Sequence, residues 1–427
     1  MIIYRALRRN GGRLMRFNET EFLPVILGAD ITAYSHVRAF HEEYGIRSLV
    51  VSQRQAKIIS ESRLCENRVF PEIEDPVRLI ERLVEIGREF KGKKRLIVLG
   101  CGDWYVRSVV ENKDVLKEYY EIPYIDLELL DKIVLKDKFY EICDELNIDH
   151  PRTFVYDCKE KNELNFDFDY PVIAKCASSA LYHYAKFPGK KKVFRIENEQ
   201  ELRELLDNLA TSSYDYKFLI QELIPGDDTN MRVLTCYCDQ NSKVKFASLG
   251  HVLLEDHTPS AIGNPVAIIN EENEGIVEAA TRFLEHIGYR GFANFDLKYD
   301  SRTGKYNFFE INVRLGRSNF YVTASGFNTV KWIVDDLIYH KDLEYTVADN
   351  EHLFYLVPKG IIQKYVTDEE LKKRVNRLFR QGKASYPLYY KPDMSPKRSF
   401  YVAASYFNQY RKYYKTERTL VPVYGGK

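Results

Sequence analysis

The feature that most constrains the fold is the stretch from residue 291 to residue 326, because it predicts a β-hairpin with one polar face. The first strand is expected at Ala293–Tyr299 and the return strand at Lys305–Asn312, since both runs mix aromatic and β-branched residues with a few acids and amides. Residues 300–304, DSRTG, supply the turn. A basic loop containing a glycine follows the second strand, so acids and bases lie next to one another along this part of the chain.

One face of the predicted hairpin carries hard oxygen ligands. Alternate residues of a strand share a face, so Glu310 and Asn312 point the same way, and a register within one residue of the simplest one brings Asp296 opposite them. Two carboxylates and an amide oxygen suit Mg²⁺ that also binds nucleotide phosphates. Arg314 follows two residues later, where a cation could stabilise the charge that develops during acyl transfer. The alternative is an ordinary solvated face, which also carries Asp, Glu, Asn and Lys.

Length and composition limit the classes of protein. A chain of 427 residues is long for one core, so two or three domains are expected. The formal net charge of +1 argues against an extended nucleic-acid-binding surface. Seven cysteines without a regular framework fit a reducing compartment, so we expect a cytoplasmic protein. The sequence has no apolar run long enough to cross a membrane, and residues 1–19, basic without an apolar core, are expected to form a surface arm rather than a secretory signal.

Residues 20–130 predict a small open α/β domain with parallel strands, because short apolar runs alternate with helical patterns. The predicted strands are Leu23–Leu27, Arg47–Val51 and Arg95–Gly100. The first strand ends at Gly28 without the GxGxxG pattern, which excludes a dinucleotide site at that turn. The third strand leads to Asp103, which would either contact a substrate at the edge of the sheet or cap a helix.

Residues 131–340 are predicted to form a second domain, divided into a flap and nucleotide lobe at 150–225 and a metal-binding lobe at 226–340. A buried strand, YPVIAK, ends in Lys175 and is followed by the small residues CASS and by a basic segment, KFPGKKK. Lysines neutralise phosphates and loop amides donate hydrogen bonds to them, so this segment predicts a flap over phosphates. The alternative is a solvated, lysine-rich hairpin, because charge runs are usually solvated.

The stretch FLIQELIPGDD, residues 218–228, predicts a nucleoside-binding segment. Backbone groups after an apolar strand can pair with the adenine edge, and a carboxylate beyond them can hold the ribose hydroxyls.

The order of these features resembles the ATP-grasp superfamily. The motifs that carry the resemblance are a helix starting Lys136-Asp137-Lys138, the strand ending PVIAK, the segment IQELIPGDD, and the strands FANFDLKYD and EINVRLGRS. The α/β region before them is similar to the pre-ATP-grasp domain of those enzymes. The resemblance therefore implies a mixed α/β and α+β fold, with an open α/β N-terminal domain followed by a two-lobed ATP-grasp fold.

Four phrases resemble more narrowly the D-aspartate ligases of Gram-positive bacteria, which load D-aspartate for the peptidoglycan cross-bridge. They are LPVILGADITAYSHVRAFHEEYG, LIVLGCGDWYV, QELIPGDDTNMRVL and HVLLEDHTPSAIGN. The resemblance implies a ligase that converts the β-carboxylate of D-aspartate into an acyl phosphate with ATP. The acyl group then passes to the lysine ε-amine of a UDP-linked muramyl pentapeptide.

The resemblance also implies roles for individual residues. The expected ATP contacts are Lys138, Lys175, Ser178, Ser179, Gln221, Glu222, Leu223, Asp228 and Lys298. Arg232 is a weaker candidate for the triphosphate. The expected ligands of two Mg²⁺ ions are Asp296, Glu310 and Asn312, and the expected catalytic residues are Arg314 and Lys175. The expected substrate contacts are Arg317, Ser318 and Asn264.

Several alternatives stay open at this level. The ligase could use another acid or amine, or the chain could be a non-catalytic nucleotide-binding module, although such a module does not need Arg314 together with the metal ligands. The general base is not identified; Asp256 and His257 are candidates, with an ordinary surface loop as the alternative. The C-terminal extension, residues 341–427, is expected to pack on the ATP domain or to contact a partner. A homo-oligomer is compatible with the sequence.

Overall fold

The structure is a computed structural model that describes residues 21–258, 261 and 263–417, so the predicted arm at residues 1–19 lies outside it. No helix of the described chain combines the length and the apolar character needed to span a bilayer.

The N-terminal domain is built on a parallel sheet with the strand order β3-β2-β1-β4-β5. Its strands are β1 (Phe22–Leu27), β2 (Ser48–Ser52), β3 (Cys65–Val69), β4 (Arg95–Gly100) and β5 (Tyr120–Glu121). Its helices are α1 (Ile31–Tyr44), α2 (Lys57–Ser60), α3 (Pro76–Phe90), α4 (Asp103–Glu111), α5 (Lys113–Leu116) and α6 (Leu127–Ile133), with a 3₁₀ turn at Pro71–Glu74.

Strand β1 is buried throughout, as expected for a parallel strand covered on both faces. Leu23, Val25 and Leu27 pack into one core, and Phe22 and Ile26 pack into another. The predicted parallel α/β domain is therefore present, and β1 and β4 lie side by side at its centre.

The next lobe is a four-stranded antiparallel sheet with the order β6-β9-β7-β8. Its strands are β6 (Thr153–Asp157), β7 (Val172–Cys176), β8 (Val193–Ile196) and β9 (Lys217–Glu222), and its helices are α7 (Lys136–Glu145), α8 (Ser179–Tyr184) and α9 (Glu199–Ala210). The segment after Lys175 was predicted as a loop of small residues. The structure instead forms the short helix α8 there, with the Ser178 hydroxyl capping it by accepting from Leu181 N at 3.3 Å.

The last lobe is an eight-stranded sheet with the order β14-β13-β10-β11-β12-β16-β17, and β15 (Thr346–Val347) pairs with β11. Its last two strands are β16 (Leu353–Tyr355) and β17 (Ala384–Ser385). The strands from this lobe are β10 (Met231–Cys238), β11 (Val244–Glu255), β12 (Pro265–Glu271), β13 (Gly291–Asp300) and β14 (Lys305–Asn312). Its helices are α10 (Glu274–His286), α11 (Phe320–Ala324) and α12 (Thr329–Leu337). The predicted hairpin is thus β13 and β14.

The hairpin contains a register shift that sets its polar face. From the turn, Leu297 pairs with Phe308, and a regular ladder would next place Asp296 opposite Phe309. A β-bulge at this point leaves Phe309 unpaired and brings Asp296 opposite Glu310. Because directly opposed residues share a face, the bulge places the two carboxylates side by side.

The C-terminal residues complete this lobe and also reach the N-terminal domain. Three short strands join the large sheet: β15 (Thr346–Val347), β16 (Leu353–Tyr355) and β17 (Ala384–Ser385). Three helices of this part of the chain pack against the sheet: α13 (Lys359–Tyr365), α14 (Glu369–Arg380) and α15 (Pro396–Glu417). Asp393 and Arg398 form a fully buried ion pair with 2.7 Å between Oδ2 and Nε. Asp393 also accepts hydrogen bonds from Tyr34 Oη and Ser62 Oγ, both at 2.9 Å. This part of the chain therefore clamps the N-terminal domain onto the large sheet.

Candidate active site

The polar face of the hairpin brings together the three residues predicted to bind metal. Asp296 lies opposite Glu310, and Asn312 Nδ2 donates to Asp296 Oδ2 at 3.2 Å. Burial and the neighbouring Glu310 carboxylate raise the pKa of Asp296 above its usual range. A divalent cation between the two carboxylates would relieve this repulsion, so the donor set fits Mg²⁺. Within the described residues no group of three His, Cys, Asp or Glu side chains forms a metal cluster, and the amide of Asn312 is the third donor here.

Two lysines lie beside this face. Lys136 Nζ is 2.7 Å from Glu310 Oε2 and is the main reason why the pKa of Glu310 lies below its usual range. Lys175 Nζ lies over the ring of Phe309, 5.6 Å from its centroid. Burial, followed by repulsion from Lys136, lowers the pKa of Lys175 to about 7. An anion bound here would favour the charged form of Lys175, so the pocket is electrostatically prepared for phosphates.

Lys138 was predicted to contact phosphate, but its side chain does not lie beside the hairpin face with Lys136 and Lys175. Its Nζ pairs with both oxygens of Glu141 at 2.8 Å on the exposed side of α7. Residues two apart on a helix point to different faces, so the rotation of α7 turns Lys136 toward the site and Lys138 away from it. Asp137, between them, is buried and binds Lys217 at 2.8 Å. The motif Lys-Asp-Lys was the available signal, but it did not say which lysine faces inward.

The loop after β14 places its arginines against the N-terminal domain. Arg314 Nε lies 2.7 Å from Asp103 Oδ1, and Arg317 Nη1 lies 3.5 Å from Asp30 Oδ2. Asp103 is the first residue of α4 and Gly102 is the N-cap, so the capping alternative for Asp103 is wrong. Ser318, by contrast, is buried, and its carbonyl accepts from Tyr321 N at 2.9 Å. Of the predicted substrate contacts on this loop, Arg317 is the exposed one.

The predicted adenine segment begins at the end of β9. The side chain of Gln221 is buried and donates to Thr153 Oγ1 at 2.7 Å. Glu222 pairs with Arg152 at 2.9 Å and with Arg302 at 2.7 Å. Leu223 follows directly after the strand ends. These side chains are committed to protein contacts, so an adenine here would be recognised by backbone groups.

Asp228 lies in a cluster of acids and one lysine beyond this segment. Its Oδ2 accepts from Glu255 N at 2.9 Å. Lys298 is buried and donates to Gly226 O at 2.9 Å, and burial lowers the pKa of Lys298 to about 8. Burial, followed by repulsion from Asp228 and Asp296, raises the pKa of Glu255 to about 8. Sequence analysis missed Glu255; an acid at the end of a long apolar strand, HVLLE, was the available signal.

The two candidates for a general base lie near the same acidic cluster. His257 Nε2 is 3.1 Å from Asp228 Oδ2, and its ring lies between Tyr365 and Tyr413, with centroid distances of 5.6 and 5.3 Å. Asp256 Oδ1 accepts from Thr258 N at 2.9 Å, which caps its own turn. These contacts give Asp256 a structural role and place His257 beside Asp228, the residue predicted to hold the ribose.

The remaining predicted contacts have structural roles or fall outside the description. Asn264 Nδ2 donates to Ala261 O at 2.8 Å, and the backbone carbonyl of Asn264 accepts from Asp256 N at 2.8 Å. Asn264 therefore closes a loop. Arg232 pairs with Glu271 and donates to Thr229 O at 3.0 Å. The side chain of Ser179 lies outside what the structure describes.

Comparison with known proteins gives one close relative in sequence. The chain is 36% identical over 411 residues to the D-aspartate ligase of Enterococcus faecium, covering 92% of this chain and 97% of that protein. Residues 237–334 match the family model for the ATP-binding domain of the carbamoyl-phosphate synthase L chain. This matched region contains the hairpin and the arginine loop.

Solved structures show a similar fold at low identity. An L-amino acid ligase from Bacillus licheniformis is 15% identical with a TM-score of 0.53, over 75% of each chain. An ADP complex of N5-carboxyaminoimidazole ribonucleotide synthetase is 11% identical with a TM-score of 0.56, over 84% of this chain and 86% of that one. The biotin carboxylase domain of the Hydrogenobacter thermophilus 2-oxoglutarate carboxylase was solved with MgADP and bicarbonate. It is 14% identical with a TM-score of 0.56, over 78% of this chain and 74% of that one.

Proposed function

The chain belongs to the D-aspartate ligase family of the ATP-grasp superfamily, and on this premise we propose that it joins the β-carboxylate of D-aspartate to the lysine ε-amine of a UDP-linked muramyl pentapeptide. It is an ATP-dependent carboxylate-amine ligase, and it has the open α/β domain and the two-lobed fold that the sequence predicts. The observation that supports the acyl-phosphate chemistry is the charge set at the bulged hairpin. Asp296 and Glu310 lie side by side, two lysines lie beside them, and Arg314 follows on the next loop.

ATP is proposed to lie with its adenine at the backbone of residues 222–223 and its ribose near Asp228. The phosphates would then lie between Lys175 on β7 and Lys136 on α7, where they would neutralise two cations that now repel each other. Lys136 takes the place in this proposal that the sequence had given to Lys138.

Asp296, Glu310 and Asn312 would hold Mg²⁺, and two ions are proposed because the site must serve both the phosphates and the carboxylates. Bound there, Mg²⁺ supplies neutralisation of the phosphate charge during transfer. The remaining chemistry belongs to the protein's own side chains.

In the first step the donor carboxylate oxygen attacks the γ-phosphorus of ATP, the bond to the bridging β-γ oxygen breaks, and ADP leaves. Lys136 and Lys175 stabilise the negative charge of the transferred phosphoryl group. The product is an acyl phosphate, which water would destroy, so the segment with α8 and the basic residues after it is proposed to cover it.

In the second step the neutral amine attacks the acyl carbon and phosphate leaves. Arg314 is proposed to stabilise the oxyanion that forms at this carbon. The amine gives up a proton as the amide forms, and the departing phosphate accepts it. We place this reaction in the cytoplasm, since ATP and a nucleotide-linked precursor are available there and all seven cysteines are free thiols.

The test is phosphate release with ATP and Mg²⁺, with D- and L-amino acids added singly, each with and without the UDP-linked pentapeptide. We expect release that requires both D-aspartate and the pentapeptide, and a peptide heavier by one aspartyl residue in the mass spectrum. Phosphate release with a different acid or amine would support the ligase reaction and assign it a different substrate. Bound ATP without release under any pairing would contradict the proposed reaction.

A further inference from the structure

We propose that Asp30 binds the α-ammonium group of the donor amino acid while Arg317 binds its α-carboxylate, so that the N-terminal domain selects a zwitterion. The inference rests on the proposed function only in requiring an α-amino acid as donor. It does not depend on which amino acid is used. It assigns a substrate-recognition role to Asp30, which lies in a different domain from the residues that hold ATP.

The first argument is the position of Asp30 in the parallel sheet. In the strand order β3-β2-β1-β4-β5, the chain adds strands on one side of β1 up to β3 and then on the other side from β4 onward. Ligands of open α/β sheets bind at such a topological switch point, outside the carboxyl ends of the strands. Leu27 pairs with Gly100 at the ends of these two strands. Asp30 and Asp103 each follow three residues later, so both carboxylates lie at this edge.

Gly28 allows the two strand ends to come this close. Its φ is +130°, and a Cβ at this position would lie 2.9 Å from Cys101 Cβ. A side chain at residue 28 would therefore push the turn carrying Asp30 away from the turn carrying Asp103.

The second argument is the pair of contacts across the domain boundary. We call the four residues Asp30, Asp103, Arg314 and Arg317 the junction crevice. Each aspartate of the N-terminal domain faces one arginine of the loop after β14, at 3.5 Å for Asp30 with Arg317 and 2.7 Å for Asp103 with Arg314. Arg314 also follows Asn312, the last residue of β14, by two residues, which ties its end of the crevice to the hairpin. The Arg317 end is therefore left for the part of the donor that does not react.

The third argument is the kind of ion pair that Asp30 and Arg317 form. Their side chains are 43% and 41% exposed, and an ion pair at that exposure and at 3.5 Å contributes little stability. A zwitterion can replace each partner with its own charge, so the crevice stays neutral when it fills. The paired side chains thus match the two charges common to all free α-amino acids.

The fourth argument is that the Asp30 carboxylate is already oriented. Asp30 Oδ1 accepts from Thr32 N at 3.0 Å and from Ala33 N at 3.2 Å, as the N-cap of α1. The other oxygen, Oδ2, accepts from Thr32 Oγ1 at 3.2 Å and faces Arg317 Nη1 at 3.5 Å, so both oxygens of the carboxylate are held in place. A carboxylate held in this way needs little further ordering to bind an ammonium group.

The same cap provides a clean variant. Asparagine caps helices about as well as aspartate, so Asp30→Asn should keep α1 and remove only the charge. Asp103→Asn is the matched variant at the other end of the crevice, where the partner is Arg314. Asp30→Asn should reduce the preference of the protein for an amino acid over its deamino analogue, whereas Asp103→Asn should leave that preference unchanged.

The experiment measures binding of amino acids and of their deamino analogues, such as D-aspartate and succinate, to the full-length protein with Mg²⁺ and a non-hydrolysable ATP analogue. Calorimetry reports the dissociation constants, and a thermal melt of each variant reports folding. We expect the wild-type protein to bind the amino acid about 10- to 100-fold more tightly than its deamino analogue, as for one charged hydrogen bond, and Asp30→Asn to reduce that ratio to about one.

The outcomes separate this inference from the proposed function. If D-aspartate does not bind but another α-amino acid does, and Asp30→Asn removes its preference over the deamino analogue, the inference holds and the proposed donor is wrong. If D-aspartate binds and the ratio is unchanged in a folded Asp30→Asn protein, the inference is overturned and the donor stands. Binding of no amino acid in the panel would overturn both.

Discussion

The hairpin face and the junction crevice both pair acids with cations, yet they are assembled in different ways. At the hairpin, Asp296 and Glu310 belong to neighbouring strands of one sheet, and a bulge in that ladder sets their separation. In the crevice, Asp30 and Asp103 belong to one domain and their arginines to another. The first arrangement is fixed by strand pairing, while the second exists only because two domains dock. Activation of a carboxylate fits the first, and recognition of the donor's α-ammonium and α-carboxylate groups fits the second.

The largest expected effect comes from the hairpin. Glu310→Gln removes one of two carboxylates from the metal-binding face, so phosphate release should fall on the order of 10³-fold, the equivalent of several kcal/mol of lost charge stabilisation. A steady-state phosphate assay checks this result. The pair of strands should stay intact, because glutamine is nearly the same size as glutamate and the backbone pairing of β13 with β14 is unchanged. Near-normal release from a folded Glu310→Gln protein would refute the metal site.

Breaking the buried Asp393–Arg398 ion pair should weaken amino-acid binding at the junction crevice and leave nucleotide binding near the hairpin almost unchanged. Asp393→Ala leaves Arg398 buried without its partner, and such a loss costs about 3 to 5 kcal/mol of the free energy of unfolding. Chemical denaturation measures it. Because Asp393 also holds Tyr34 of α1, the helix that Asp30 caps, the KM of the amino acid should rise more than the dissociation constant of ATP.

The control for the clamp is an ion pair between the same two regions whose lysine lies at the surface and whose glutamate is mostly buried. Lys397 Nζ lies 2.9 Å from Glu61 Oε1, and the lysine side chain is 79% exposed. Lys397→Met should change the free energy of unfolding by less than about 1 kcal/mol. Equal effects of the two substitutions would mean that the buried pair does not clamp the domains.

A matched pair of lysines tests which residue reaches the phosphates. Lys136→Met removes the cation beside Glu310 and should lower kcat/KM for ATP by about 10- to 100-fold, as expected for one charged hydrogen bond. Lys138→Met removes only an exposed contact to Glu141 and should stay within about twofold of the wild type. The reverse ranking would return the phosphate role to Lys138, as the sequence motif alone had suggested.

The smallest expected effect is a pH dependence of nucleotide affinity. Lys175 must be charged to bind phosphate, but in the free protein burial and Lys136 lower its pKa to about 7. Affinity should therefore be greatest below this pKa and fall as the pH rises through it, by roughly tenfold between about pH 7 and about pH 8.5. Calorimetric titrations in buffers of different ionisation enthalpy should detect proton uptake on binding. Lys175→Met should flatten the profile, and a profile unchanged by this substitution would assign the proton to another group.

The sequence predicted the elements of the site better than it predicted their directions. The return strand of the hairpin, Lys305–Asn312, has the predicted bounds, and the first strand extends slightly beyond its predicted ends. Strand alternation is a local property, so the shared face of Glu310 and Asn312 could be read from spacing alone. The position of Asp296 opposite Glu310 depended on the bulge at Phe309, which spacing does not reveal.

The misses share one cause. Whether Lys136 or Lys138 faces the site depends on how α7 is rotated against β14, and that contact joins residues far apart in the chain. Glu255 became visible only when β11 was placed beside β10 and Asp228. The final strands were hidden for the same reason, because runs of two or three residues become strands only when a sheet edge accepts them.

By itself the sequence determined the family, the parallel and antiparallel character of the two main parts, and which oxygen-bearing side chains share the hairpin face. These follow from the order of motifs and from the period of apolar residues, which any short segment carries within itself. The tertiary structure decided that Lys136 rather than Lys138 faces Glu310, and that Asp30 and Asp103 meet the arginines of the loop after β14. Helix rotation and domain docking are set by packing between distant segments, which no local pattern in the chain can encode.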